Sequence, residues 1–398
     1  MINQVEKKNP KRRFKEFWGK ENWNVHTLGT VLMSMYNGQT PSRSKGEYWN
    51  GKINWLTSGE LNCGIVNDTF EKITELGLDS AKLKIIPKGI LVIAITGLEA
   101  SGTRGNCAIL GCNTTLNQSC MALFPIRSLI SSDFLFNWYL FIGDYYGIKY
   151  TQGTKQQSYN SKILNDLEIV IPSLDEQNKI SSFFSKLDSM IDFQKRKLDK
   201  LEATKKALLQ EMFPEEGQDK PKRRFKGFTD AWKQRNLGDF VKIDTGKLDA
   251  NAMQEHGQYD FYTSGVQKYK IDCAAFEGPA ITIAGNGATL GYMHLADGLF
   301  NAYQRTYVLS QFTEDRQYLF YEIGRQLPKK IFKEARTGSI PYIVMDMLES
   351  LQLSISTSQE NKKIAQLLSS IDKTITLHQR KLDKLKNLKQ AYLNEMFV

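Results

Sequence analysis

The hexapeptide RKLDKL occurs twice, beginning at Arg196 and at Arg380, and each copy runs on in unbroken register to the tripeptide Glu-Met-Phe at Glu211 and Glu395. With Glu176 laid on Glu360, an offset of 184, Lys179-Ile180 falls on Lys363-Ile364 and Met212-Phe213 on Met396-Phe397. A second repeat precedes each stretch. PKRRFK begins at Pro10 and at Pro221, an offset of 211, and Trp23 with Leu28-Gly29 matches Trp232 with Leu237-Gly238, an offset of 209. Self-similarity on this scale predicts one structural unit built twice in tandem. The difference between 209 and 184 makes the first variable region longer by 25 residues.

The repeated stretch reads as a helix with one apolar seam. Ile180, Phe184, Leu187, Ile191, Gln194, Leu198, Leu201, Lys205, Leu208 and Met212 step alternately by four and three. The second copy gives Ile364, Leu368, Ile371, Ile375, His378, Leu382, Leu385, Lys389, Tyr392 and Met396. This is the heptad pattern of a coiled coil, and its shared polar interruptions, Gln194 with His378 and Lys205 with Lys389, fix register at some cost in stability. His378 is therefore a seam residue rather than a ligand. A helix over 180–212 would span ~50 Å. Each seam needs a partner, and the other copy supplies one. A two-fold relation between the halves makes the helices antiparallel and returns the chain's end to its start, a pseudo-two-fold cyclic arrangement.

Between the repeats the pattern is of short strands and turns. LKIIPKGILVIAI, a glycine-bounded turn from Gly97 to Gly105, and CAILGCNTTLNQSCMALF read as strands, with GPAITIAGNGATLGYMHL and LFNAYQRTYVL as their counterparts. DFLFNWYLFIGDYYGI and DRQYLFYEIGRQLPKKIFKEA read as aromatic-rich helices. The expected fold class is α+β, with two similar globular domains separated by two long antiparallel coiled-coil helices. Its expected divisions are a first domain at 1–173, a helix at 174–213, a second domain at 214–356 and a second helix at 357–398.

Composition narrows the partner. The 398 residues carry a formal charge of +10, while 41% apolar content with 21 Phe and 17 Tyr suffices for two packed cores. An excess of positive charge points to a polyanion, above all nucleic acid, although ribosomal and membrane-surface proteins share it. No stretch resembles a signal peptide or a membrane span, so a cytoplasmic protein is expected. Cys63, Cys107, Cys112, Cys120 and Cys273 show no metal-ligand spacing and read as small buried residues in a reducing compartment. Catalytic patterns fail as well. The stretch from Gly285 to Gly291 follows a strand but has neither the spacing nor the following helix of a dinucleotide loop. Walker, nucleophile-elbow, zinc-protease and amino-methyltransferase signatures are all missing.

Taken together, W-x4-LG at Trp23 and Trp232, GEYWNGKINWLTSGEL, TIAGNGATLGY and the helix lead-in LNDLEIVIPSLDEQNKI resemble the specificity subunit of type I restriction-modification enzymes over nearly the whole chain. The second lead-in, MLESLQLSISTSQENKKI, departs from the first, with Ser356 for Pro172 and Asn361 for Gln177. The resemblance implies two target-recognition domains, each reading one half of a bipartite, asymmetric double-stranded DNA target. It implies that the helices set the gap and dock two modification (methyltransferase) subunits, with restriction (translocase or nuclease) subunits left open. S-adenosylmethionine, ATP and Mg would then belong to partner subunits, with no cofactor and no catalytic or metal site on this chain.

Polar residues near the turns are the candidate DNA contacts: Arg104, Gln118, Lys155, Gln156, Gln157 and Tyr159 in the first domain, and Asn286, Gln304, Arg305, Lys330, Lys333, Arg336 and Ser339 in the second. Arg, Gln and Asn suit base edges and Lys suits phosphates. Two other classes compete. An autonomous DNA-modifying or DNA-cleaving enzyme would turn over without partners, and a structural coiled-coil adaptor would show no sequence-dependent DNA affinity.

Overall fold

The structure is a computed structural model, and it describes residues 9–98, 102–150, 158–334 and 342–398. The chain divides into two units, Met1–Gln194 with Lys381–Val398, and Lys195–Arg380. Each unit therefore takes the end of one repeated helix and the beginning of the other. The four principal helices are α1 (Ser132–Lys149), α2 (Leu174–Glu211), α3 (Arg316–Glu334) and α4 (Ser358–Met396). The first and third are the aromatic-rich pair, and α2 and α4 are the repeats.

Both repeats begin with the Ser/Thr-x-x-Glu spacing of a capping box. The N–H of Glu176 donates to Ser173 Oγ at 3.5 Å and that of Glu360 to Thr357 Oγ1 at 3.3 Å. The two carboxylates, however, are taken by arginines of the PKRRFK runs. Arg13 meets both oxygens of Glu176 at 2.7 Å, and Arg224 meets both oxygens of Glu360 at 2.8 Å. Both glutamates are buried. The second arginine of each basic run thus clamps the start of a long helix.

Within each unit the two helix segments run antiparallel. In the first, Phe183 meets Tyr392 at 4.9 Å between ring centroids, and the Lys389 ammonium reaches Asp188 at 2.5 Å. In the second, Lys205 reaches Asp372 at 2.6 Å, and Leu208 and Met212 share a core with Ile364, Leu368 and Ile371. The two lysines that break the seams thus form equivalent ion pairs, 184 residues apart. Ile180, Phe184, Leu187, Leu198, Leu208, Ile364, Leu368, Ile371, His378 and Leu382 are buried, while Ile191, Gln194, Leu201, Ile375, Leu385 and Tyr392 are half-buried. Leu393, outside the heptad count, is buried beside Met396 and Phe397.

The sheets repeat too. In the first unit the order is Leu32–Asn37, Cys120–Pro125, Leu91–Ala94, Cys107–Leu110 and Gly64–Val66, antiparallel except for the last pair. In the second it is Lys242–Thr245, Thr306–Ser310, Ala280–Ala284 and Met293–Ala296, all antiparallel. Smaller sheets are centred on Trp49–Leu56 and on Tyr259–Tyr262 with Leu299–Ala302. A two-stranded ribbon ties each Trp-x4-Leu-Gly segment to the helix lead-in: Asn24 pairs with Ile171, and Lys233 with Ile355.

Glu-Met-Phe closes both cores. Phe397 packs on Trp23 at 6.4 Å and on Phe134 at 5.2 Å, and Phe213 packs on Trp232 at 6.0 Å and on Tyr318 at 5.6 Å. Arg12 N–H donates to Glu395 O and Arg223 N–H to Glu211 O, each at 2.8 Å. The end of the second repeated helix therefore meets the first basic run as the end of the first helix meets the second. One exchange of chemistry separates the two pockets. Phe141 stacks on Phe397, whereas Arg325 lies over Phe213 at 5.2 Å, held by the buried Glu322 at 2.8 Å.

Cysteines depart from expectation. Cys107 and Cys120 are buried and Cys112 is half-buried, but Cys63 and Cys273 are exposed.

Candidate nucleic-acid interface

Strand pairing gathers several chosen residues at one end of each large sheet. In the second unit Ala284 pairs with Thr306, so Gly285-Asn286, leaving one strand, adjoin Gln304-Arg305, entering the next. Gly285 N–H donates to Arg305 O at 2.8 Å, and Gln304 N–H donates to Leu248 O at 2.8 Å. Asn286 Oδ1 accepts from Ser264 Oγ at 2.6 Å, and its backbone bridges to Tyr342. Gln304 Nε2 donates to Asp249 Oδ2 at 3.4 Å. Gln304 and Arg305 are exposed, with Lys247 exposed on the neighbouring turn. Only glycine permits this convergence at Gly246, where a Cβ would stand 2.0 Å from Ala302 O.

The first unit repeats the arrangement with other side chains. A Cβ on Gly38 would meet Leu116 O at 1.9 Å, which aligns Leu116 with Ala302 and Gln118 with Gln304, both at an offset of 186. Gln118 is exposed, and its side-chain oxygen accepts from Thr40 Oγ1. The two glutamines chosen from sequence thus occupy equivalent turns, one in each unit. Ser158 bridges to Thr96 beside this sheet as Tyr342 bridges to Asn286 beside the other.

Other chosen residues are placed differently. Arg104 crosses α1 where Gly147 leaves room, pairs with Asp144 at 2.7 Å and donates to Leu98 O at 3.4 Å. It braces its turn. Tyr159 is buried in the first core, its N–H on Ile95 O at 2.9 Å, so it supports the strand end instead of facing a ligand. Lys330 donates to Ser350 Oγ at 3.0 Å and pairs with Glu334 at 3.3 Å, and Lys333 pairs with Glu216 at 3.3 Å. These two lysines line a cavity of about 600 Å³ with Glu215, Asp219 and Trp232. Lys155, Gln156, Gln157, Arg336 and Ser339 lie outside the described residues.

Sequence reasoning missed Thr40, Lys247 and Ser264. The last had a signal, since Thr-Ser-Gly recurs at Thr57-Ser58-Gly59 and Thr263-Ser264-Gly265. Nearby, His294 sits between Tyr262 at 5.2 Å and Tyr292 at 4.9 Å, and burial lowers its pKa below the usual imidazole value. Among the described residues no cluster of His, Cys, Asp and Glu could hold a metal ion, and no helix is long and apolar enough to cross a membrane.

Comparison with known proteins supplies the family. The type I restriction modification DNA specificity domain matches residues 20–203 and again 229–387. The specificity subunit of the Escherichia coli EcoDI type I restriction enzyme is 33% identical over 41% of this chain, a match spanning 37% of that protein's length. That of the Methanocaldococcus jannaschii MjaIX enzyme is 22% identical over 94% of this chain and 93% of its own. Among solved structures, the S subunit of a type I restriction-modification system from M. genitalium superposes with a TM-score of 0.71 at 15% identity, covering 98% of this chain and 99% of that one. Two matched segments, each holding a large sheet with the same order of four strands and a long helix, fit one conclusion: the chain belongs to the type I restriction-modification DNA specificity family.

Proposed function

We propose that this chain reads DNA for a type I restriction-modification complex and performs no chemistry of its own. The observation that carries the reading is the combination of a repeated frame with unlike turns. Sheet order, Trp-Phe packing and the Arg-Glu clamp recur, whereas Thr40 with Gln118 is replaced by Asp249 with Gln304. Residues 1–173 and 214–356 would each read one half-site, while 174–213 and 357–398 would set the gap and dock two modification subunits. S-adenosylmethionine, ATP and Mg would be held by partner subunits, in the cytoplasm.

The purified chain is expected to show neither methylation nor cleavage alone and to direct sequence-specific methylation once modification subunits are added. Turnover by the pure chain would contradict this. Adding one heptad to both long helices keeps the seam and lengthens each by ~10 Å. The methylated target should then show a new gap between unchanged half-sequences; equal use of the original gap would remove the ruler role.

Base readout falls to Gln118, Asn286, Gln304 and Arg305. Replacing Gln304 or Arg305 by Ala should relax one position of one half-site by ~1–3 kcal/mol if the contact is bidentate. Lys247 suits a phosphate, and Lys330 and Lys333 could serve one only by leaving their acidic partners. Binding measured against salt separates these roles, because loss of a phosphate contact weakens all sequences alike and flattens the slope. Unchanged discrimination in both Ala variants would assign Gln304 and Arg305 to structure.

A further inference from the structure

In the first unit the strand Gly64–Val66 lies parallel to Cys107–Leu110, with Gly64 opposite Ala108. One residue before the paired strand, the Cys63 N–H donates to Cys107 O at 2.9 Å, which brings the two backbones side by side. Neighbouring strands lie ~4.8 Å apart, within the ~4.4–6.8 Å between Cα atoms that a disulfide spans. Cys63 has a left-handed backbone, φ +56°, at the very start of the strand, where the chain passes from the smaller sheet to the larger one. Cys63 is an exposed residue, while Cys107 is wholly buried.

We propose that Cys63 and Cys107 are a redox-active dithiol that peroxide closes to an intramolecular disulfide, pinning the strand Gly64–Val66 to its neighbour. Cys63 sulfur attacks one oxygen of hydrogen peroxide; the O–O bond breaks, and Cys63 becomes a sulfenic acid while the other oxygen leaves as water. Cys107 sulfur then displaces the sulfenic hydroxyl, which takes the Cys107 proton and leaves as a second water. Two thiols are oxidised and one peroxide is reduced.

The environments suit this division of roles. Hydrogen bonding from the adjacent Cys107 thiol lowers the Cys63 pKa to about 6, with the Lys389 ammonium acting in the same direction. Burial raises that of Cys107 well above the usual thiol range. A thiolate is thus available at neutral pH at Cys63, the exposed residue of the pair. The edge strand that the bond would secure belongs to the first unit's sheet, for which the described sheet of the second has no counterpart.

The test treats the full chain with equimolar hydrogen peroxide, alkylates the remaining thiols and maps the peptides by mass. Expected are one linked peptide pair carrying Cys63 and Cys107, short of two hydrogens, with Cys273 still alkylated, and full reversal by a dithiol reductant. Cys63→Ser, at an exposed position, should abolish the link and leave Cys107 reduced. Cys107→Ser should leave a Cys63 sulfenic acid that dimedone traps; should that buried substitution prevent folding, Cys63→Ser still decides. A link between two chains, conversion of Cys63 to sulfinic acid without a link, or equal oxidation of Cys63 and Cys273 would overturn the proposal.

Discussion

A fragment ending near Lys220 is expected to pair with a second copy of itself. It lacks Lys381–Val398, the segment that completes the first unit. Its loss bares the faces of Trp23, Phe134 and Phe184 that receive Phe397, and the seam around Ile180 and Leu187. Each such residue forfeits ~1.5–3 kcal/mol of burial. The fragment carries its own replacement at an offset of 184: Phe213 for Phe397, Met212 for Met396, Leu209 for Leu393 and Glu211 for Glu395.

The polar contacts transfer as well. In a homodimer Lys205 of one copy would meet Asp188 of the other, as Lys389 does in the intact chain, and Glu211 would meet Arg12 as Glu395 does. One loss is foreseen. Leu208 stands where Tyr392 meets Phe183, so an aromatic contact worth ~0.5–1.5 kcal/mol disappears and the dimer is weaker than the native pairing. Sedimentation should show a dimer, and methylation with modification subunits should map to an inverted repeat of the first half-site. A stable, soluble monomer would show that the helices are not each other's principal partner.

The largest point effect on stability should come from the helix clamps. Arg13 and Glu176 have side chains 12% and 1% exposed, and Arg224 and Glu360 are 13% and 1% exposed. Glu360→Ala strands the Arg224 guanidinium in a largely dry site, and Glu176→Ala does the same to Arg13. Removing one partner of a buried pair costs ~3–5 kcal/mol. For a unit of about 200 residues that lowers Tm by roughly 6–20 °C. Replacing both partners, Arg224→Met with Glu360→Leu, should cost less, because no charge is left unpaired. Thermal and denaturant melts of the single and double variants check this; single-variant losses below ~1 kcal/mol, the range of surface pairs, would show that the clamps are solvated.

Local pattern fixed much of this molecule. The four-three stepping from Ile180 and from Ile364 set both long helices and the face each buries, because side chains three and four apart share one side of a helix. The doubled motifs set two like units, and alternation with glycine turns set the strands at Leu91–Ala94 and Ala280–Ala284. Gln118 and Gln304 were legible as turn residues, yet their equivalence was not, since it rests on an offset of 186 that only the close approach at Gly38 and Gly246 reveals. Tyr159 and Arg104 looked like polar loop residues, and packing took one into the core and laid the other across Gly147.

What tertiary structure alone decided is which distant residues complete each other. Arg12 bonds to Glu395 across 383 positions, and Arg13 takes the carboxylate that local capping rules would keep for the helix end. Sequence period encodes which face of an element is apolar, because side-chain direction repeats every 3.6 residues in a helix and every 2.0 in a strand. It carries no term for which buried donor meets which acceptor, a choice made only when desolvation forces every charged group brought into the interior to find a partner.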